Sequence, residues 1–322
     1  MNFIRDNKNQ LLITSVLAAL WCFFALRAPE AFLSGSIYMT FLSTIPFITI
    51  VATAMTLVVV TGEMDLSFAS NMAMSGFVFA WTSQATGSVL AGVAAGLTAG
   101  TCIGLFNGLM IAVTGVPAIV ATIGFDFFWR GSVMLLSNGT TRTLEFLGAA
   151  PAVQFFIGRL GGVLPVQSLW ALAFAIVTAV VYHRTSWGDD LRFIGDDREA
   201  AVMLGLPVTA ARVGVFSYLG FAAALSGILA TMEMGNWWPT QGDGYLLLVF
   251  ASVFLGGTSV YGGSGTVWGT FVGSVIMGII EAGIVSSGWS GFWTRFVDGL
   301  TLLISVSFFA LASRKKRWTS NG

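Results

Sequence analysis

Long apolar runs dominate the chain, and polar residues gather in the gaps between them. The runs lie at about 11–26, 40–61, 66–83, 88–114, 117–136, 166–182, 213–232, 245–261, 266–286 and 292–312. Strands of a membrane barrel alternate apolar and polar positions over about ten residues. These runs do not alternate, and most approach the roughly 20 residues that carry a helix across a bilayer. The pattern predicts an all-α, polytopic membrane protein with about ten transmembrane helices. Segments 66–83 and 245–261 are short and are interrupted or flanked by Gly and Ser. The first run follows Arg5 and Lys8 and has the length of a signal peptide. It ends in Arg27-Ala28-Pro29-Glu30 without a small-x-small cleavage site, so a retained helix is expected.

Composition agrees with this pattern. Of 322 residues, 56% are apolar and 9% charged, against about 25% charged in soluble domains. So few charges cannot clothe a water-facing surface. Glycine is abundant at 39 residues, and Gly92, Gly96, Gly100, Gly104 and Gly108 recur every fourth position. Such a stripe lets helix backbones approach closely in lipid. Cys22 and Cys102 lie inside apolar runs and suggest neither a disulfide framework nor a metal site. The net charge is zero, which leaves no nucleic-acid footprint.

Charge then sets orientation. Arg184, Arg192, Arg198 and Arg212 lie in 183–212, Arg314, Lys315, Lys316 and Arg317 in the tail, and Arg5 and Lys8 at the amino terminus. Positive segments stay cytoplasmic. Ten spans put all three on one side, with both termini cytoplasmic and 137–165 outside. Two stretches, Thr61–Ser70 and Gly256–Gly265, are weakly alike, and each closes one run and opens another. Placing both on the same side makes blocks 40–136 and 213–312 begin in opposite directions. That arrangement suggests an inverted repeat of the kind transporters use.

The most informative soluble piece is Gly195–Pro207, within a cytoplasmic segment 183–212. Asp196 can cap a helix, and Glu199 three residues later completes a capping-box pattern. Asp197, Arg198, Ala200 and Ala201 follow the cap, Gly205 suits C′, and Pro207 forbids continuation. A two-turn helix is unstable alone in water. It must pack on its own membrane domain or dock into a partner's groove, and an exposed Ala pair favours docking.

Ionisable groups inside spans are expensive and are functional candidates by default. Asp126 and Arg130 are spaced i, i+4, which allows an internal pair; a place in a translocation pathway is the alternative. Glu281, Arg295 and Asp298 fall near outer helix ends, as a salt-bridge cluster or a gate. Glu63 and Asp65 lie near the inner side, and Asp65 reads as a cap for the following helix. Asn71 and Asn107 are uncharged pathway candidates, with an interhelical hydrogen bond as the alternative for Asn107. Trp237 and Trp238 fit interfacial anchors better than sugar-stacking faces. His183 has no metal-ligand partner nearby. The only lysines are Lys8, Lys315 and Lys316, and none lies in a Walker A loop, so this chain cannot cradle ATP phosphates that way.

Several motifs carry a family resemblance. Glu199-Ala200-Ala201 with Gly205 resembles the coupling loop of ATP-binding-cassette importer permeases. Val116–Gly124, with Trp129-Arg130-Gly131 and Ser137-Asn138-Gly139, resembles the fifth-helix region of ribose/galactoside/xylose-type sugar permeases, of the branched-chain amino acid/ribose permease family. Gly62-Glu63-Met64-Asp65-Leu66-Ser67 is similar to their Gly-Gly-Ile-Asp-Leu-Ser signature. Gly242-Asp243-Gly244-Tyr245, Leu255–Ser259 and Gly262–Thr266 are similar to their late-half signature. The likeness runs from about 40 to 310. Glu63 departs from the usual Gly, Asp126 sits in a normally uncharged helix, and Asp189 follows Gly188 where a basic residue is common.

The resemblance implies one permease domain over 1–322, in a bacterial inner membrane. It implies a dimer of identical or different permease subunits, a cytoplasmic ATPase carrying ATP and Mg, a periplasmic sugar-binding protein, and import of a monosaccharide or polyol. No cofactor is then bound by this chain. An ion-coupled secondary transporter using Asp126 or Glu281, an intramembrane enzyme and a passive channel are the rivals.

Overall fold

The computed structural model describes residues 8–144 and 151–320, with side chains described over 13–144 and 151–307. Arg5 and the side chains of Lys8 and of the basic run 314–317 lie outside the described residues. The helices are α1 Lys8–Arg27, α2 Pro29–Phe32, α3 Gly35–Val60, α4 Phe68–Thr86, α5 Val89–Thr114, α6 Ala118–Ser137, α7 Pro151–Ile157, α8 Val166–Arg184, α9 Ser186–Asp196, α10 Arg198–Met203, α11 Val208–Met234, α12 Tyr245–Leu255, α13 Val267–Ser286 and α14 Phe292–Ser320. Two antiparallel ladders of two residues per strand complete the described fold. One pairs β1 (Arg142–Thr143) with β4 (Asn236–Trp237), the other β2 (Arg159–Leu160) with β3 (Leu164–Pro165).

Among the described residues six helices, α3, α5, α6, α8, α11 and α13, are long and apolar enough to cross a membrane, and α12 and the Ile13–Arg27 part of α1 are shorter apolar helices. The chain is thus an all-α polytopic membrane protein. The expected span 245–261 is cut short. Its helix α12 has 11 residues, or about 16 Å of rise, roughly half the hydrocarbon thickness.

The core is built on α3, α4, α5 and α11. The glycine stripe of α5 faces α4 and α11, and at Gly104 a Cβ would run into the Phe216 carbonyl of α11. That close approach replaces the hydrophobic effect as the source of packing energy in lipid. By contrast α6 is peripheral and fully buries only Ala118, Thr122, Val133 and Ser137.

The ends of α3 and α8, all of α9 and α10, and the start of α11 gather on one face, here called the basic face for Arg184, Arg192, Arg198 and Arg212. The β1–β4 ladder, the Arg159–Glu233 ion pair and the Gln84 Nε2 bond to the Thr143 carbonyl (3.1 Å) mark the opposite face.

Two non-helical breaks enter the bundle, residues 61–67 after α3 and 235–244 after α11. The second lies between α4 and α11, with Trp237 Nε1 donating to the Ala73 carbonyl (2.9 Å) and Gln241 Nε2 to the Gly227 carbonyl (2.8 Å). Irregular backbone at membrane depth requires such protein partners. Gly242 packs against the Ala69 backbone, in the first turn of α4 just after the first break.

Candidate functional site

On the basic face, α9 is an amphipathic helix that buries Leu191 and Ile194 and exposes Phe193. Thr185 caps it by accepting from the Gly188 N–H (3.2 Å). Its last turn sits in a joint made of backbone. The Gly263 N–H donates to the Val60 carbonyl (2.8 Å), and Gly195 lies against both groups, with no room for a side chain. Gly262 in turn approaches the Gly195 carbonyl and the Gly62 backbone. One point of α9 thereby touches the end of α3 and the loop between α12 and α13. The two stretches noted for their likeness lie side by side here, on the same face.

The short helix α10 forms as expected but one residue out of register. Its cap is Asp197, which accepts from the Ala200 N–H (2.9 Å), while Asp196 closes α9. Glu199 therefore falls at N2 and closes no capping box. At the other end the Leu206 N–H bonds to the Ala201 carbonyl and the Gly205 N–H to the Val202 carbonyl, with Gly205 at φ +77°. This is the Schellman stop that Gly205 suggested. The exposed Ala pair is corrected. Ala201 is buried and Ala200 half-buried, and the surface instead presents Val202, Met203 and Leu204, 59%, 85% and 72% exposed. Asp196, Arg198 and Glu199 are also exposed. Beside this unit Glu63, in the first break, makes a nearly buried ion pair with Arg212 of α11. Arg212 Nη1 also reaches the Ile111 carbonyl at the end of α5 (3.4 Å).

A second polar network lies deeper, where α4 begins. Asp65 accepts from the Ser67 N–H (2.7 Å) and hydroxyl (2.5 Å). It orders the turn before α4 rather than capping the free N–H groups of that helix. Ser67 Oγ accepts from Asn107 Nδ2 (2.9 Å), and Asn107 Oδ1 accepts from Trp129 Nε1 (3.1 Å). Asn71 donates to the Gly100 carbonyl (3.0 Å) and accepts from Ser75 (3.0 Å). These bonds tie α4, α5 and α6 together.

Arg130 does not pair with Asp126. It forms an ion pair with Asp243 and donates through Nη1 to the Pro239 (2.7 Å) and Gln241 (3.0 Å) carbonyls, clamping the second break to α6. Those carbonyls draw the guanidinium across to the break, and Asp126 Oδ1 is buried without a hydrogen-bond partner. The expected salt-bridge cluster at the outer ends does not form either. Among the described residues Arg295 makes no ion pair, Glu281 is exposed, and Asp298 is buried with Oδ1 unpartnered. Trp237 is not an interfacial anchor: its ring is wholly buried against Phe77. Trp238 is half-exposed and lines a cavity on the opposite face.

Comparison with known proteins matches residues 37–306 to the family described as branched-chain amino acid transport system / permease component. The ribose import permease protein RbsC of Escherichia coli (strain K12) is 33% identical over 260 residues, 80% of each chain. The L-arabinose ABC transporter permease protein AraH of Azospirillum brasilense is 29% identical over 311 residues, 96% of this chain and 90% of its own. The fructose import permease protein FrcC of Rhizobium meliloti is 28% identical over 306 residues, 92% and 82% of the two chains. No solved structure matches. A match over most of the chain, and an identity of this size over four-fifths of it, establish that this multi-pass membrane protein belongs to the branched-chain amino acid transport system permease family.

Proposed function

We propose that the chain is the membrane-spanning subunit of an ATP-binding-cassette importer that brings a monosaccharide or polyol into the cytoplasm by alternating access. The observation that carries this reading is the α9–α10 unit. It is seated by Gly195 on a joint of two loops and presents Val202, Met203 and Leu204 to the outside. A cytoplasmic ATPase that grips this tooth can turn its own closure into movement of both loops. ATP and Mg belong to that partner, a periplasmic sugar-binding protein delivers substrate, and a second permease subunit completes the pathway. In this reading the basic face is cytoplasmic.

The same reading has ten helices embedded in the bilayer, with both termini cytoplasmic. Helix order supports an inverted repeat: α3, break, α4, α5, α6 against α11, break, α12, α13, α14. The first helix of each set runs in the opposite direction relative to the basic face. Under this order the break 61–67 corresponds to 235–244, not to 256–265. Candidate pathway groups are Asp126, Arg130, Asn71 and Asn107 near the two breaks.

Reconstitution of the chain with its ATPase and binding protein tests the proposal, with D-ribose, L-arabinose and D-fructose as the first panel. Uptake that needs ATP and survives an uncoupler is expected. The ion-coupled alternative rests on the unpartnered Asp126 carboxylate, and uptake abolished by the uncoupler with ATP present would establish it.

A further inference from the structure

We infer that the cavity beside Trp238 on the face opposite the coupling unit is a sugar-binding subsite, shaped for a neutral polyhydroxylated ring. The inference rests on the importer reading and gives its pathway a first foothold. The cavity measures about 720 Å³, and Trp238, Thr141, Thr240, Met134 and Gly131 form its walls. That is the size range of small-molecule sites.

Trp238 is held in place from both sides. Its predecessor Trp237 is wholly buried and hydrogen-bonded to the Ala73 carbonyl, and β4 pairs with β1 at Arg142 and Thr143. On the other side, Arg130 Nη1 clamps the Pro239 carbonyl at 2.7 Å. A flexible surface anchor needs no such bracing, whereas a binding face gains from it because less order is lost on binding. Among the described residues, Trp238 Nε1 and the hydroxyls of Thr141 and Thr240 make no hydrogen bond, although all three residues belong to the cavity wall. An aromatic face with unspent donors and acceptors around it matches a sugar ring, which has an apolar C–H face and a hydroxyl rim.

The charges argue against an ionic cargo at this point. Arg130 is committed to Asp243 and two carbonyls, and none of the described residues that line the cavity is charged. A zwitterionic amino acid would find no charged partner among these wall residues. A neutral sugar needs neither charge.

The test uses the reconstituted complex and the sugar from the panel that it transports. Trp238→Ala is expected to lower uptake at least tenfold while binding-protein-stimulated ATP hydrolysis stays within twofold. Trp238→Phe should keep at least a third of the uptake because it keeps a stacking face, and the Thr141→Val, Thr240→Val double variant should lose at least fivefold. Wild-type uptake of Ala and Val variants would overturn the subsite and leave the importer reading standing. Equal losses in Trp238→Phe and Trp238→Ala, or dissociation of the permease pair by Trp238→Ala, would overturn it in favour of an interface that a second subunit fills. No ATP-dependent sugar uptake by the wild-type complex would instead overturn the importer reading, and the subsite with it.

Discussion

Glu63 and Arg212 form a nearly buried ion pair that ties the break after α3 to the first turns of α11. Removing one partner of such a pair leaves the other charge without compensation, at about 3–5 kcal/mol. Glu63→Gln should therefore lower the thermal midpoint of the detergent-solubilised chain sharply. The double change Glu63→Met, Arg212→Met should recover most of the loss, because both charges go together. Melting curves of the two variants against the wild type check this.

Gly195 lies against the Val60 carbonyl and the Gly263 N–H. Gly195→Ala should push the end of α9 off the joint. In the assembled importer, ATP hydrolysis should persist while uptake falls at least tenfold, a ratio read by measuring both on one preparation. A parallel fall in the two would show that α9 does not transmit the stroke.

Met203 and Leu204 are exposed while Ala201 is buried. Met203→Asp with Leu204→Asp should leave the fold intact and abolish co-purification of the ATPase. Ala201→Leu should act the other way and destabilise the chain by about 1–3 kcal/mol through overpacking. Pull-down and thermal melting separate the two effects.

Asp197 caps α10 and Asp196 does not. Asp197→Ala should cost about 1 kcal/mol of local helix stability, and Asp196→Ala much less. Hydrogen exchange across 198–206 would resolve the difference.

Arg130 holds the second break through Asp243, Pro239 and Gln241. Arg130→Ala should release this segment and speed amide exchange over 236–244 at least tenfold. Arg130→Lys should restore only part of the protection, since an ammonium lacks the guanidinium's fork.

The apolar runs and the Gly205–Pro207 stop were readable because each depends on neighbouring residues. Features that depend on distant contacts were not. Two adjacent aspartates could each cap α10, and the choice falls to Asp197 because the helix before it is held through Gly195. Helical spacing offered Arg130 a partner in Asp126, but Asp243, 113 positions away, wins because it comes with two carbonyls. The i, i+4 rule has no knowledge of a broken helix threading past. Trp237 and Trp238 look alike as a pair, and only the β1–β4 ladder decides which ring turns inward. The shortness of α12 was hinted at by Gly256 and Gly257, where the helix stops well before the expected end at 261.

The bond from the Gly263 N–H to the Val60 carbonyl is made by main-chain atoms alone. Exchange of the side chain at Val60 cannot delete it. Lineages can thus vary the side chains around this joint while the joint itself stays written in the polypeptide backbone.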